Sequence, residues 1–276
     1  KNMIKIPFYK MSGSGNDFIL IDNRKGVLSA IDLKGFTSRV CAHRLSVGGD
    51  GLILIEESKI ADFKCTLYNA DGSRAEMSGN GSRCAARFAY LLGIARKEMA
   101  FETGAGILKA WVEGYQAKVG FLPPKDLKLN IRININGEVF DGHFVNTGVP
   151  HLVYIVDDLE HLDIIKIGRA TRYHDAFSPA GTNVDFIKLT SGNTLQIRTY
   201  ERGVEDETLA CGTGSVASVI IAGLLSGIRS PATLKARSGK ELIVHFRRDG
   251  DSFSDILLEG DAMVIYEGEM WEEAWR

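Results

Sequence analysis

The chain has few of the residues that staple, anchor or charge a protein. Its four cysteines, Cys41, Cys65, Cys84 and Cys211, form no C-x-x-C pair and show no zinc-like spacing with histidine, so neither a structural metal nor a metal cofactor is expected. In a protein without an export signal, thiols stay reduced, and Cys41, Cys65 and Cys84 read as small buried hydrophobes. No charged leader followed by an apolar core opens the sequence, and residues 216–225, the longest apolar run, fall well short of the roughly 20 residues a membrane span requires. A cytoplasmic protein without membrane contact is expected. The net charge of −2 provides no basic footprint for nucleic acid. Lys1 and Asn2 ahead of Met3 read as the remnant of an engineered sample, whose residues need not all be natural.

The most consequential absence is a thiol at position 78. The segment MSGNGSR (77–83) has a near copy, ACGTGSV (210–216), with Ser78 standing where the copy has Cys211. Their offset, 211 − 78 = 133, also pairs Gly15 with Gly148, Gly35 with Gly168, Gly48 with Gly181, Gly79 with Gly212, Gly81 with Gly214 and Gly106 with Gly239. With 30 glycines in 276 residues, chance puts roughly 1.7 pairs in one register, so six mark an internal duplication.

Each half is long enough to bury its own core. Residues 18–22, 52–55, 63–68, 152–156, 186–189 and 195–200 are β-branched and aromatic runs with strand character. One helix per half is expected directly after the glycine motif, over 82–94 and 215–225. The second is apolar on almost every side, which marks a helix enclosed by protein. A curved sheet around a central helix in each half is the simplest architecture. Pro123 and Pro124 mark the linker, and residues 263–266 read as a last strand.

A cysteine at a helix N-terminus faces unpaired N–H groups and the positive end of the helix dipole, both of which favour thiolate, while an apolar surrounding opposes it. The same N–H groups form a ready carboxylate site, and glycine lets backbone approach a bound group. Taken singly, either glycine pair could be a mere tight turn; two copies make that reading weaker. A dinucleotide fingerprint fits Gly212-x-Gly214-x-x-Ala217, but no acidic residue follows until Glu241, which disfavours nucleotide binding. The acidic run Glu205, Asp206, Glu207 reads as a solvated loop.

These motifs resemble the diaminopimelate epimerases over essentially the full length: GSGNDF (13–18), GGDG (48–51), YNADGS (68–73), GNG (79–81), GVPH (148–151), GTN (181–183), ERG (201–203) and CGTG (211–214) occur in that family's order. The resemblance implies an α+β fold of two pseudo-symmetric domains, each a mixed sheet rolled around a helix, with the active site in the cleft between them. The expected domains are 1–122 with 264–276, and 123–263. The implied reaction is epimerisation of LL- to meso-diaminopimelate on the lysine and peptidoglycan precursor route, without pyridoxal phosphate or any other cofactor. Two thiols on opposite faces of the α-carbon exchange its proton. Position 78 and Cys211 are the implied catalytic pair. Backbone groups of Gly79, Asn80, Gly212 and Thr213 would hold the reacting carboxylate. Asn16, Asn69, Asn183, Glu201 and Arg202 would bind the remaining polar groups, with Arg202 on the distal carboxylate. His151 and His174 read as structural hydrogen-bonders, and a homodimer is left open.

Two positions depart from that pattern. Val149 stands where many relatives carry asparagine, with Asn146 as a nearby substitute. Ser78 replaces the first thiol, and full epimerisation is expected to be severely impaired. Either Ser78 is an engineered replacement, or the chain is a natural one-base lyase or racemase for another amino acid, or an inactive amino-acid-binding protein.

Overall fold

A computed structural model of the chain describes residues 4–276, so Lys1, Asn2 and the expectation attached to them lie outside the described residues. The chain divides into two compact units, Lys1–Val119 with Gly260–Arg276, and Gly120–Glu259. Each is α+β, and the two repeat one strand order.

In the first unit the strand Met263–Trp271 pairs antiparallel with Lys5–Gly13, which pairs antiparallel with Asn16–Asp22. Asn16–Asp22 runs parallel to Gly51–Glu56, which pairs antiparallel with Phe63–Asn69. Phe63–Asn69 runs parallel to Glu98–Thr103, and Gly106–Glu113 and residues 116–119 complete the sheet as a meander. In the second unit the same sequence of pairings runs through Lys125–Ile135, Glu138–Asn146, Pro150–Ile155, Asn183–Leu189, Thr194–Glu201, Ala232–Lys235, Glu241–Asp249 and Ser252–Asp261. The C-terminal strand Met263–Trp271 therefore holds in the first unit the place that Lys125–Ile135 holds in the second.

Among the described residues four α-helices form: α1 (Leu33–Val40), α2 (Gly79–Leu91), α3 (Ile164–Arg172) and α4 (Gly212–Ser226). The glycine motifs are not loops ahead of the helices, as the sequence suggested, but their first turns. Both helices begin three residues earlier than expected, because Ser78 and Cys211 take extended backbone and cap them. Helices α1 and α3 were not foreseen. Each is short and opens on an aspartate cap, Asp32 accepting from the Gly35 N–H and Asp163 from the Lys166 N–H, a signal present in the sequence but easily lost in eight or nine residues.

These extra helices explain the unbroken apolar runs of the inner strands. In the first unit Phe18, Leu20, Ile53 and Ile55 face α2, while Ile19, Ile21, Leu52 and Leu54 face the layer containing Phe36 and Val40 of α1. A strand buried on both faces has no polar alternation to show. Helix α4 is buried from Gly212 to Gly223, and each of Val216, Val219, Ile220 and Ile221 contributes about 1.5–3 kcal/mol by leaving water. Gly227, at φ 69°, ends it in the left-handed conformation that a side chain would resist.

The acidic run 205–207 is not a solvated loop. Asp206–Thr208 pairs with Thr194–Glu201, and Glu207 turns inward, where the Arg198 guanidinium grips it through two 2.7 Å hydrogen bonds and Arg237 adds a third. Its side chain is 3% exposed, and Glu205 pairs with Arg172 at 3.1 Å. Strand pairing next to two arginines decided this. The charge run alone could not show it.

Candidate active site

Ser78 and Cys211 occupy equivalent places in their own units. Ser78 (φ −137°, ψ 127°) caps α2, its Oγ accepting from the Gly81 N–H at 3.2 Å; Cys211 (φ −119°, ψ 115°) caps α4, its Sγ accepting from the Gly214 N–H at 3.4 Å. The first true helical bonds then run from Ser82 to the Ser78 carbonyl and from Ser215 to the Cys211 carbonyl. Helix geometry leaves the N–H groups of Gly79, Gly212 and Thr213 with no acceptor inside the helix. A carboxylate is the natural complement to such a turn.

Two influences compete at Cys211. Burial, the larger, pushes the thiol well above its ordinary value, and the negative charges of Glu201 and Asp185 push the same way; the Thr213 hydroxyl and the Gly214 N–H oppose them without prevailing. Position at a helix start therefore does not by itself make Cys211 a thiolate. Cys41, Cys65 and Cys84 are buried and free, each pushed up to about 12 by burial.

Beneath α4 lies a polar chain that sequence reasoning did not assemble. Thr213 Oγ1 is 3.4 Å from Cys211 Sγ and 2.9 Å from His151 Nε2; His151 Nδ1 is 2.7 Å from Asp185 Oδ2; and Thr199 donates to Asp185 Oδ1 at 2.7 Å. Thr147, just past the strand Glu138–Asn146, holds the turn by donating to the Thr213 carbonyl at 3.0 Å. His151 and Asp185 are both fully buried. Gly214 is needed here, because a Cβ on it would stand 2.3 Å from Asp185 Oδ1. The sequence signal for Asp185 is an acid within the buried strand Asn183–Leu189.

Beneath α2 a different set braces the helix start. The fully buried Arg83 donates to the Ser14 hydroxyl and to Asn80 Oδ1, both at 2.9 Å, and Asp261 Oδ1 accepts from the Ser14 N–H and hydroxyl at 2.7 and 2.9 Å. This ties the Gly13–Asn16 turn and the last strands of the chain to α2.

The other expected site residues are placed as follows. Asn16 gives its amide to Asp50, and Asn69 donates to the Ser73 hydroxyl at 3.0 Å. Asn183 uses both ends of its amide, donating to the Pro150 carbonyl at 3.1 Å and accepting from the Arg202 N–H at 2.8 Å, so it fixes the loop that carries Glu201 and Arg202. The Arg202 guanidinium donates to the Ala180 carbonyl at 3.3 Å. Asn146 Oδ1 accepts from the Gly148 N–H at 3.0 Å. His174 caps a short 3-10 turn through the Ala176 N–H. Among the described residues no three His, Cys, Asp or Glu side chains converge as a metal site, and no helix is long and apolar enough to cross a membrane.

A sequence profile described as diaminopimelate epimerase matches residues 8–121 and 143–262. A diaminopimelate epimerase of Aquifex aeolicus is 44% identical over 278 residues, covering 96% of this chain and 98% of that protein. Another, from Hydrogenobaculum, is 45% identical over 271 residues, covering 94% and 96%. The crystal structure of a phenazine biosynthesis protein of the PhzF family from Bacillus anthracis superposes with a TM-score of 0.77, covering 97% of this chain and 99% of that one; at 14% identity this is a likeness of fold.

Proposed function

Because the chain belongs to the diaminopimelate epimerase family and is an isomerase of the epimerase class, we propose that it acts on the α-carbon of LL- and meso-diaminopimelate by moving one proton on and off without a cofactor. Cys211 is the base on one face. Position 78 is the matching post on the other, where the serine of this chain is a poor substitute for a thiol.

The observation that carries this reading is the pair of equivalent caps. Two side chains on corresponding helix starts, each beside first-turn N–H groups suited to a carboxylate, are what a two-sided proton exchange needs. An α-hydrogen beside a carboxylate is a very weak acid, and its removal develops enediolate charge. The first-turn groups of Gly79 and Asn80, and of Gly212 and Thr213, are proposed to hold that carboxylate, with Asn16, Asn69, Asn183, Glu201 and Arg202 sorting the distal amine and carboxylate. An arginine suits the carboxylate because its planar fork donates in pairs.

With Ser78 in place, removal and return of a proton on the Cys211 side remain available and delivery from the opposite face is slow. The protein as written should therefore exchange the α-hydrogen of one diaminopimelate isomer with solvent deuterium while inverting it poorly. Mass spectrometry and chiral chromatography of substrate incubated in D2O measure both rates. Absence of exchange with either isomer, or exchange that persists unchanged in Cys211→Ala, refutes the reading, and the first outcome leaves an amino-acid-binding protein.

A further inference from the structure

The GGDG motif (48–51) holds none of the groups assigned to the substrate, yet it is tied to Asn16 through Asp50. Asp50 Oδ2 accepts from the Asp17 N–H at 3.0 Å and from the Asn16 side-chain amide, while the Asp50 N–H donates to the Asp17 carbonyl at 2.8 Å. A carboxylate oxygen only accepts, so the Asn16 amide must turn its nitrogen to Asp50. Its carbonyl oxygen lies on the other arm of the planar group, and among the described residues nothing donates to it. Asn16 therefore has a full acceptor to offer a ligand and at most one N–H.

Asp50 is itself held from two sides. Lys10 is buried, and its ammonium reaches both the Asp17 carboxylate and the Gly48 carbonyl. Gly48 and Gly49 donate to the carbonyls of Val40 and Cys41 at the end of α1, at 2.9 and 3.1 Å. A Cβ on Gly49 would stand 2.9 Å from Lys10 Nζ, so glycine lets the ammonium in. The turn that carries Asn16 is fixed on its other flank by Ser14, which Asp261 and Arg83 hold.

The second unit does without this arrangement. The 133-residue offset matches Asn16, Asp17 and Ile19 with Val149, Pro150 and Leu152, and Phe144 stands opposite Leu152 as Lys10 stands opposite Ile19. A phenylalanine, a proline and a valine thus serve the fold where the first unit has an ammonium, a carboxylate and an amide. Burying a lysine beside carboxylates adds little stability over apolar packing, so its presence in one copy alone points to a task beyond folding.

We propose that Asp50 is a positioning residue for substrate recognition: it locks Asn16 with the carbonyl oxygen presented, which makes Asn16 a receptor for the distal ammonium of diaminopimelate and not for a carboxylate. The proposal rests on the reading of Asn16 as a substrate-binding residue and deepens it. Asp17 and Asp50 against Lys10 leave the cluster net negative, which attracts an ammonium group and repels a carboxylate. Arg202 is then left to the distal carboxylate, for which its planar fork is suited.

The test is calorimetric titration of diaminopimelate, and of α-aminopimelate, which lacks only the distal amine, into the full chain and its variants. Asn16→Ala and Asp50→Ala should each weaken diaminopimelate binding about tenfold or more, the scale of a hydrogen bond to a charged group. Combining them should add less than about twofold, because both remove one contact. The affinity for α-aminopimelate should stay within about threefold of the parent in every variant, since the group that Asn16 would meet is missing from it. Asp50→Asn, which keeps an acceptor oxygen for both N–H groups, should retain diaminopimelate binding within about fivefold. Equal losses for the two ligands, as a merely structural role would give, or losses that add in the double variant, overturn the proposal. The lock has a readout without ligand. In proton–nitrogen correlation spectra the Asn16 side-chain amide, identified by its disappearance in Asn16→Ala, should be shifted downfield and protected from solvent exchange, and should lose both features in Asp50→Ala. An unshifted, fast-exchanging amide in the parent overturns the lock. A parent that binds neither ligand while its Asn16 amide is protected refutes the substrate reading and leaves the Asp50 lock standing.

Discussion

Replacing Ser78 by cysteine should raise activity and lower stability together. Helix-start placement is worth only about 0.3–2 kcal/mol to an anion, roughly a unit of pKa, far less than the gap between an alcohol and a thiol. Ser78 therefore remains protonated however well α2 is oriented. A correctly placed acid or base typically contributes about 10²- to 10⁴-fold, so Ser78→Cys should raise the rate of inversion of LL-diaminopimelate by that factor. Deuterium exchange on the Cys211 side should change by less than about tenfold, because its base is untouched. The stability effect follows from the cap. Ser78 Oγ accepts from the Gly81 N–H at 3.2 Å, and sulfur is a weaker acceptor, as the 3.4 Å contact of Cys211 with Gly214 illustrates. Weakening a serine cap costs up to about 1 kcal/mol, which corresponds to a fall of about 2–4 °C in Tm for a protein near this size. Chiral chromatography, deuterium incorporation and thermal melts on both proteins supply the three readings. If Ser78→Cys lowers Tm as expected but inversion stays at the parental level while exchange continues, position 78 is not the second base, and a one-base reaction on this fold becomes the better account.

Two further perturbations probe the scaffold under the site. Gly214→Ala would drive a methyl group into Asp185 Oδ1 and should destabilise the protein by about 1–3 kcal/mol, whereas Gly223→Ala on the same helix meets only ordinary contact with Phe253 at 3.4 Å and should gain up to about 1 kcal/mol from helix propensity; urea titrations giving both the same sign would contradict the packing described. The buried thiols predict alkaline weakening. Cys41, Cys65 and Cys84 are each pushed up to about 12 by burial, so the folded state keeps protons that the unfolded chain releases above about pH 8.5. A raised folded-state value means stability is intact below that pH and falls as pH rises toward 12, by about 1.4 kcal/mol per pH unit for each titrating thiol. Cys65→Val should flatten the slope of stability between about pH 9 and about pH 10 by roughly one thiol's share, and an unchanged slope would show that Cys65 does not titrate on unfolding.

Much of the site could be read without coordinates because the chain states its motif twice. The duplication, the two glycine-opened helices and the mismatch between Ser78 and Cys211 are matters of spacing and identity, which a linear sequence records directly. So is family membership. Elements whose stability comes from packing were harder to see: α1 and α3 are short, and the inner strands, covered on both faces, lost the alternation that would have announced a second layer.

What the tertiary structure alone decided is electrostatic. Sequence places Cys211 at a helix start, where the dipole favours thiolate, but the sign of the net effect depends on burial and on Glu201 and Asp185, which are ten and twenty-six residues away along the chain. It likewise took three strands and a helix to bring His151, Asp185, Thr199 and Thr213 into one hydrogen-bonded line, and a solvated-looking acidic run to turn Glu207 onto two arginines. Which residues are present, and in what repeating order, belongs to the sequence. Which of them share a low-dielectric space, and so set one another's charge, is settled only when strand pairing closes over them.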